Sequence, residues 1–289
     1  MLQDKFERGQ FALLAEFDPP KGTDTSSMLE AAARSKGQVD ALVVSEMNNA
    51  VMRQSSLGGA ILLRQKGHEV VMQVCCRDRN RLALQGDILS AASLGIENLM
   101  LVEGDPPGYG DHPDTRAVDD LDLAGLQEAV NRMHSGRDLA GSELQGFPSF
   151  FLGQPLDIGT DPNRMDRIKH EIENGLKRGA KYFVTRPVFD PSLLDALHQA
   201  ISPLTRHVFP SVLLLKSLGM ARYIDMNIDA ISLPDELITR LKKSPDKARE
   251  GMKIAAECVQ AIRDRGFGGT QLSTMGWEHR LPEIINHIR

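Results

Sequence analysis

A chain of 289 residues, 41% hydrophobic and 25% charged, has the composition of an ordinary globular protein, long enough for one large α/β domain or two small ones. Its 34 Lys and Arg against 39 Asp and Glu give a formal charge of -5 with no basic run, which argues against nucleic acid as a partner. Cys75, Cys76 and Cys258 form neither a disulfide framework nor a spaced ligand set, residues 1–10 lack the apolar core of a signal peptide, and no apolar run approaches the roughly 20 residues that cross a bilayer, so a cytoplasmic protein with no membrane partner is expected.

Residues 11–17 read as a strand, stopped by Asp18-Pro19-Pro20. Thr25 is placed to cap a helix that runs to about Lys36. A strand over 41–45, a helix over 54–65 and a strand over 70–75 follow. Asn80 opens a helix with Leu84, Ile88 and Ala92 on its apolar side, ending near Gly95. The apolar run 99–102 is a buried strand that ends in Gly104-Asp105-Pro106-Pro107, and a long polar loop leads to a helix over 122–134. In the second half, strands are expected over 147–152, 182–185, 207–215 and 267–273, with Pro148 weakening the first. Helices are expected over 163–177, 192–200, 219–223, 234–242, 246–264 and 281–288. About eight strand-then-helix units in a chain a little longer than the ~250 residues usual for that architecture predict a (β/α)8 TIM barrel, one domain over 1–289. A doubly wound sheet is the alternative, and the absence of a Gly-x-Gly-x-x-Gly or Walker-type loop counts against it.

In a barrel the chemistry sits where strands end. The residues collected there are Glu16 and Asp18, Ser45 and Glu46, Gln73 and Cys75, Asp105, Thr185 and Arg186, Lys216 and Gln271. Glu16 interrupts an apolar strand, so it either pairs at the surface or stands in the barrel mouth as a general acid with a raised pKa. Asp105 is either ordinary turn chemistry or a carboxylate presented on a rigid loop. The eight histidines show no metal-binding spacing, and His112 reads as a solvated loop residue. Cys75-Cys76 reads as strand packing. Residues 266–269 either begin a strand or cradle a phosphate.

Four blocks carry a family resemblance. Glu16-Phe17-Asp18-Pro19-Pro20-Lys21-Gly22, an acid before a Pro-Pro turn, resembles the first-strand signature of methylenetetrahydrofolate reductases of the bacterial type. The run from Cys76 to Gln85 is similar to their third-strand exit, Leu94 to Asn98 followed by Gly104-Asp105-Pro106-Pro107 to their fourth-strand signature, and Gly179 to Asp190 to their sixth-strand block. The blocks fall in family order over nearly the whole chain. The resemblance implies a barrel that binds flavin, usually FAD with FMN as the other choice, and reduces 5,10-methylenetetrahydrofolate to 5-methyltetrahydrofolate in the one-carbon metabolism that supplies methionine synthesis. It implies Glu16 as the acid that opens the five-membered ring, Asp105 against pterin and flavin, Arg186 at a pterin contact, and Ser45, Gln73, Gly104 and Lys169 toward the cofactor. It implies NAD(P)H or a partner electron-transfer protein as reductant, and a homo-oligomer or a subunit of a complex.

Three departures stand out. Glu103 replaces an Arg, Arg186 replaces a Gln, and Gly175 stands where a basic residue helps to hold flavin phosphate, with Lys169, Lys177 and Arg178 nearby. The first two suggest a Glu103–Arg186 ion pair across the barrel mouth. The block around Gln271 matches only loosely. Two other readings remain: a folate-binding barrel subunit without redox activity, and a pterin-dependent methyltransferase.

Overall fold

A computed structural model describes residues 1–159, 164–228 and 231–288. A short helix α1 (Leu2–Glu7) precedes β1 (Ala12–Phe17), α2 (Ser26–Ser35), β2 (Ala41–Val44), α3 (Ser56–Gln65), β3 (Val70–Cys75), α4 (Arg81–Ser93), β4 (Asn98–Val102) and α5 (Leu123–His134). There follow β5 (Phe151–Leu156), α6 (Arg164–Lys177), β6 (Tyr182–Pro187), α7 (Pro191–Ile201), β7 (Val208–Leu213), α8 (Leu218–Asn227), α9 (Asp235–Lys243), α10 (Lys247–Asp264), β8 (Gly269–Ser273) and α11 (Leu281–Ile285). The strands close into one barrel in sequence order, every neighbour pair parallel, with Leu14 opposite both Ala41 and Gln271. The protein is a (β/α)8 TIM barrel.

Parallel strands covered by helices are buried on both faces, which is why they read as apolar runs rather than alternating ones. The alternation persists in what each side chain touches. Ala12, Leu14, Val43, Val71, Met100, Tyr182 and Phe209 pack together inside the barrel, whereas Leu13, Ala15, Phe17, Leu99 and Leu101 pack outward under the helices. This period of two decides which polar residues near the strand ends face the mouth. Helix α1, which nothing in the sequence pattern had announced, closes the opposite end. Its Leu2 and Phe6 join the inner cluster, with Phe6 5.3 Å from the Phe151 ring and the Arg206 guanidinium 4.8 Å above it.

Local chemistry sets most element starts. Asn80 accepts from the amides of Leu82 and Ala83, Asp122 from Gly125 and Asp246 from Arg249, each satisfying a helix donor that lacks an intrahelical partner. Thr25 holds the N-cap of α2 but makes no side-chain bond; Asp24 accepts from Ser26 instead. The fifth strand lies four residues later than expected. Residues 147–150 only lead into it, and Phe151 begins the ladder opposite Asn98. Asn163, the expected start of α6, lies outside the described residues. The glycines at 266–269 begin β8 at the closed end: a Cβ on Gly268 would lie 1.8 Å from the Arg206 carbonyl oxygen, and one on Gly269 2.4 Å from that of Ala12. They allow strands to approach, and the phosphate reading is set aside.

Candidate active site

Glu16 is the third inward position of β1 after Ala12 and Leu14, so the strand's period carries it into the barrel mouth rather than to the surface. Asn48 Nδ2 donates to its Oε1 at 2.7 Å, and Ser273, at the end of neighbouring β8, is a second side-chain partner. Burial raises the carboxyl pKa, the bonds from Ser273 and Asn48 oppose that, and the charges of Asp18 and Glu278 add to the rise. A half-buried acid whose pKa is raised has the chemistry of a proton donor. A cavity of about 530 Å³ is lined by its neighbours Asp18, Asn48, Ser273 and Glu278 and reaches Met28 and Arg34 of α2, while Glu16 itself does not line it.

Asn48 is the residue that sequence reasoning missed. It donates a second, longer bond of 3.3 Å to Asp18 Oδ1, which also accepts the Ser45 hydroxyl. Its placement depends on an unusual loop, in which Met47, Asn49 and Ala50 all adopt positive φ, between 48° and 55°. Such conformations cost about 1–3 kcal/mol each outside glycine and persist where surrounding contacts impose them. The contacts are present here. The Asn49 amide donates to Asp105 at 2.9 Å, the Met52 amide donates to Asp111 at 2.9 Å, and Lys21 pairs with Asp111. Those donors hold the Asp111 carboxyl far below the usual carboxylate range. Gly110 lets the loop after β4 lie directly on this turn, since a Cβ there would sit 1.8 Å from the Ala50 carbonyl oxygen. The Asn48-Asn49 pair was the available signal, because Asn tolerates left-handed backbone.

The other expected residues divide clearly. Ser45 is fully buried and donates to Asp18, so it supports the acid side of the mouth. Gln73 faces inward; its Oε1 accepts from the Glu46 amide at 3.1 Å, while its Nε2 makes no hydrogen bond to a described residue. Glu46 is buried and bonded to the Ser56 amide at 2.6 Å and to Arg79 at 3.0 Å, which fixes the backbone that holds Gln73. Gln271 is inward and 8% exposed, and its Oε1 has no partner. Lys216 donates to the Met275 carbonyl and lies 5.3 Å from the Trp277 ring centroid; burial lowers its pKa against the pull of Glu278 and Asp18. Asp105 is exposed, its carboxylate on Asn49 and its carbonyl accepting from Arg77 at 2.8 Å. Gly104, at φ +90°, serves packing, because a Cβ would come within 2.4 Å of Cys75 Sγ.

Three readings are corrected or relocated. Glu103 and Arg186 form no ion pair: Glu103 follows β4 and its charge acts on Cys76, Arg186 is exposed in the stretch of β6 where the register shifts between Val184 and Pro187, and β5 stands between the two strands. Gly175 lies under the barrel wall, where a Cβ would meet the Phe183 ring at 2.6 Å, so no side chain fits there. Lys169 is not brought to the mouth; its ammonium donates to the Ser202 carbonyl, where α7 ends. Burial pushes the Cys75 thiol up to about 11 and that of Cys76 to about 12, which suits packing rather than redox chemistry. His112 is exposed and bonded to Asp111 at 2.9 Å. Among the described residues no group of three or more His, Cys, Asp or Glu is arranged to hold a metal ion, and no helix is long and apolar enough to cross a membrane.

A barrel with a carboxyl of raised pKa in its mouth is common to several chemistries, and comparison with known proteins decides among them. The family model for methylenetetrahydrofolate reductase matches residues 1–289, the whole chain. The chain belongs to the methylenetetrahydrofolate reductase family. It is thereby an oxidoreductase of the methylenetetrahydrofolate reductase type, and enzymes of this family generally bind flavin. No curated relative matches. Among solved structures, a putative phosphonomutase from Burkholderia cenocepacia J2315 aligns at 14% identity over 95% of this chain and 91% of its own, with a TM-score of 0.49. The Bacillus cereus spore cortex-lytic enzyme SleL aligns at 10% identity over 96% and 74%, with a TM-score of 0.47. Neither likeness bears on function.

Proposed function

We propose that this methylenetetrahydrofolate reductase is a flavoprotein that uses Glu16 as general acid to reduce 5,10-methylenetetrahydrofolate to 5-methyltetrahydrofolate. The observation that carries the reading is the inward, half-buried Glu16 with its pKa raised, held by Asn48 and Ser273, two residues that also line the 530 Å³ cavity. The mouth also suits a flavin ring edge, which carries both carbonyl acceptors and an imide donor. Gln73 Nε2 is a donor without a described partner, and Gln271 Oε1 is a buried acceptor with none. A flavin bound there supplies the hydride. The protein's residues do the rest. Glu16 gives its proton to the substrate nitrogen whose bond to the bridging carbon breaks, opening the five-membered ring to an iminium. Asp105 and Arg186, exposed on the loop after β4 and the end of β6, are positioned to orient the pterin. Gln73 and Gln271 would hold the flavin ring; Ser45 acts through Asp18, and Lys169 is given no part.

Purified protein is expected to be yellow, or to become so with FAD or FMN, and chromatography of the released flavin identifies which is held. Its absorbance should bleach with NAD(P)H or with a partner electron carrier, whichever is the donor, and return on adding methylenetetrahydrofolate. A colourless protein that takes up neither flavin overturns the reading. Folate binding by such a protein would point to a binding subunit, and methyl transfer to a cobalamin would point to a methyltransferase.

A further inference from the structure

The Glu16 carboxyl has a second acid as its neighbour, two residues further along the same segment. Asp18 follows Glu16 by two residues, and the Asn48 amide group donates to both, at 2.7 Å to Glu16 and 3.3 Å to Asp18. Asp18 also accepts the Ser45 hydroxyl, as Glu16 has Ser273 for its second side-chain partner, so the amide of Asn48 is the one donor the two acids share. Two carboxylates bridged by one amide repel each other when both are charged, so negative charge on Asp18 favours the neutral form of Glu16. We propose that Asp18 is a positioning residue that keeps the proton on Glu16, with Asn48 setting the distance between them. This rests on the reading of Glu16 as general acid.

The groups that act on Glu16 come from each element packed against it. Asp18 lies on its own segment, Asn48 on the loop after β2, and Ser273 and Glu278 at and beyond the end of β8. Lys216, beyond β7, faces Glu278 and Asp18. Of these, Asp18 and Glu278 favour the neutral acid, while Asn48 and Ser273 favour the carboxylate. Removing Asp18's charge and removing Asn48's amide must therefore move Glu16 in opposite directions. A residue that merely braced the loop would not produce that reversal.

The test is a carbon-13 NMR titration of the Glu16 carboxyl in the full chain without substrate, the resonance assigned by its loss in Glu16→Gln. Asp18→Asn keeps an acceptor for Ser45 and Asn48 and should lower the Glu16 midpoint by about one pH unit. Asn48→Ala should raise it. Where turnover is measurable, the alkaline limb of kcat/KM should move with the midpoint in each variant. An unmoved midpoint in Asp18→Asn overturns the proposal, as does a shift of both variants in one direction. The titration needs no folate, so a chain whose midpoint moves as expected yet reduces no methylenetetrahydrofolate supports this inference and overturns only the functional reading.

Discussion

The two sides of the barrel mouth are built differently. On the side of β1, β2 and β8, Glu16, Asp18, Ser45, Asn48 and Ser273 are joined side chain to side chain, and a loop of three positive-φ residues is imposed to make that possible. On the side of β4 to β6, Asp105 holds only a backbone amide, and Arg186 is exposed without an ion pair to any described residue. On the proposed reading the first arrangement would fix a proton donor before any ligand arrives, and such preorganisation is what makes an acid effective at the moment of reaction. The second leaves charged groups available for a ligand's polar edge. If Glu16 is the acid as proposed, proton chemistry in this protein is a property of the fold, and recognition a property of the complex.

The strongest way to break that comparison is Glu16→Gln. It is expected to lower folate turnover by about two to four orders of magnitude while sparing flavin content, and near-normal turnover would remove the acid from the wired side. The same variant has a stability signature. Folding raises the Glu16 pKa, so the folded chain keeps a proton that the unfolded chain releases, and stability falls as pH climbs through and above the ordinary value of 4.5. Gln cannot ionise. Its stability gain over the natural residue should be present at neutral pH and vanish below about pH 4, as denaturant midpoints across pH would show.

The next largest effect is expected at Arg79→Ala. Its guanidinium is the charged partner of Glu46, whose side chain is 1% exposed. Removing it leaves a buried carboxylate uncompensated, at a cost of about 3–5 kcal/mol in urea unfolding. Because the Glu46 amide donates to Gln73, the loss should also disturb the wired side and weaken flavin retention. A variant as stable as the parent would show that Glu46 is held by Ser56 alone.

How much of this was legible follows the same division. The barrel was, because eight buried parallel strands leave apolar runs punctuated by Gly, Pro and capping residues, whereas Glu16 was legible only as a choice between surface and mouth, which the phase of β1 decides. The fifth strand was misplaced because Phe147, Phe150 and Phe151 present one continuous apolar signal, and only the pairing of Phe151 with Asn98 sets the phase. Helix α1 was missed because its apolar content is Leu2 and Phe6, a stripe whose meaning comes from the barrel floor it covers. Asn48 was missed for a deeper reason. Its role depends on backbone conformations enforced from β4, over fifty residues away, by Asp105 and Asp111. The Glu103–Arg186 pairing failed on placement, because β5 stands between the two strands and Arg186 falls in a register shift of β6, neither of which charge alone reveals.

Gly104→Ala probes the boundary between the two sides. A Cβ there would have to adopt φ +90° and come within 2.4 Å of Cys75 Sγ, so about 1–3 kcal/mol of stability should be lost in a denaturant titration. Cys75→Ala in the same chain should recover the steric part and leave the conformational part. Full recovery would mean that the positive φ carries no cost.

The smallest effect expected is at Arg186→Ala, and it sharpens the comparison most directly. If the β4 to β6 side serves recognition, an exposed cation there contributes a hydrogen bond or two to bound folate and nothing to the proton. An exposed charged contact is worth about 1 kcal/mol, close to fivefold in binding. Steady-state kinetics should therefore show KM for folate rising about fivefold with kcat nearly unchanged, and the pH profile should stay where Glu16 sets it. A fall in kcat with KM unaltered would place Arg186 in the chemical step, and the two sides of the mouth would no longer divide as the hydrogen bonds divide them.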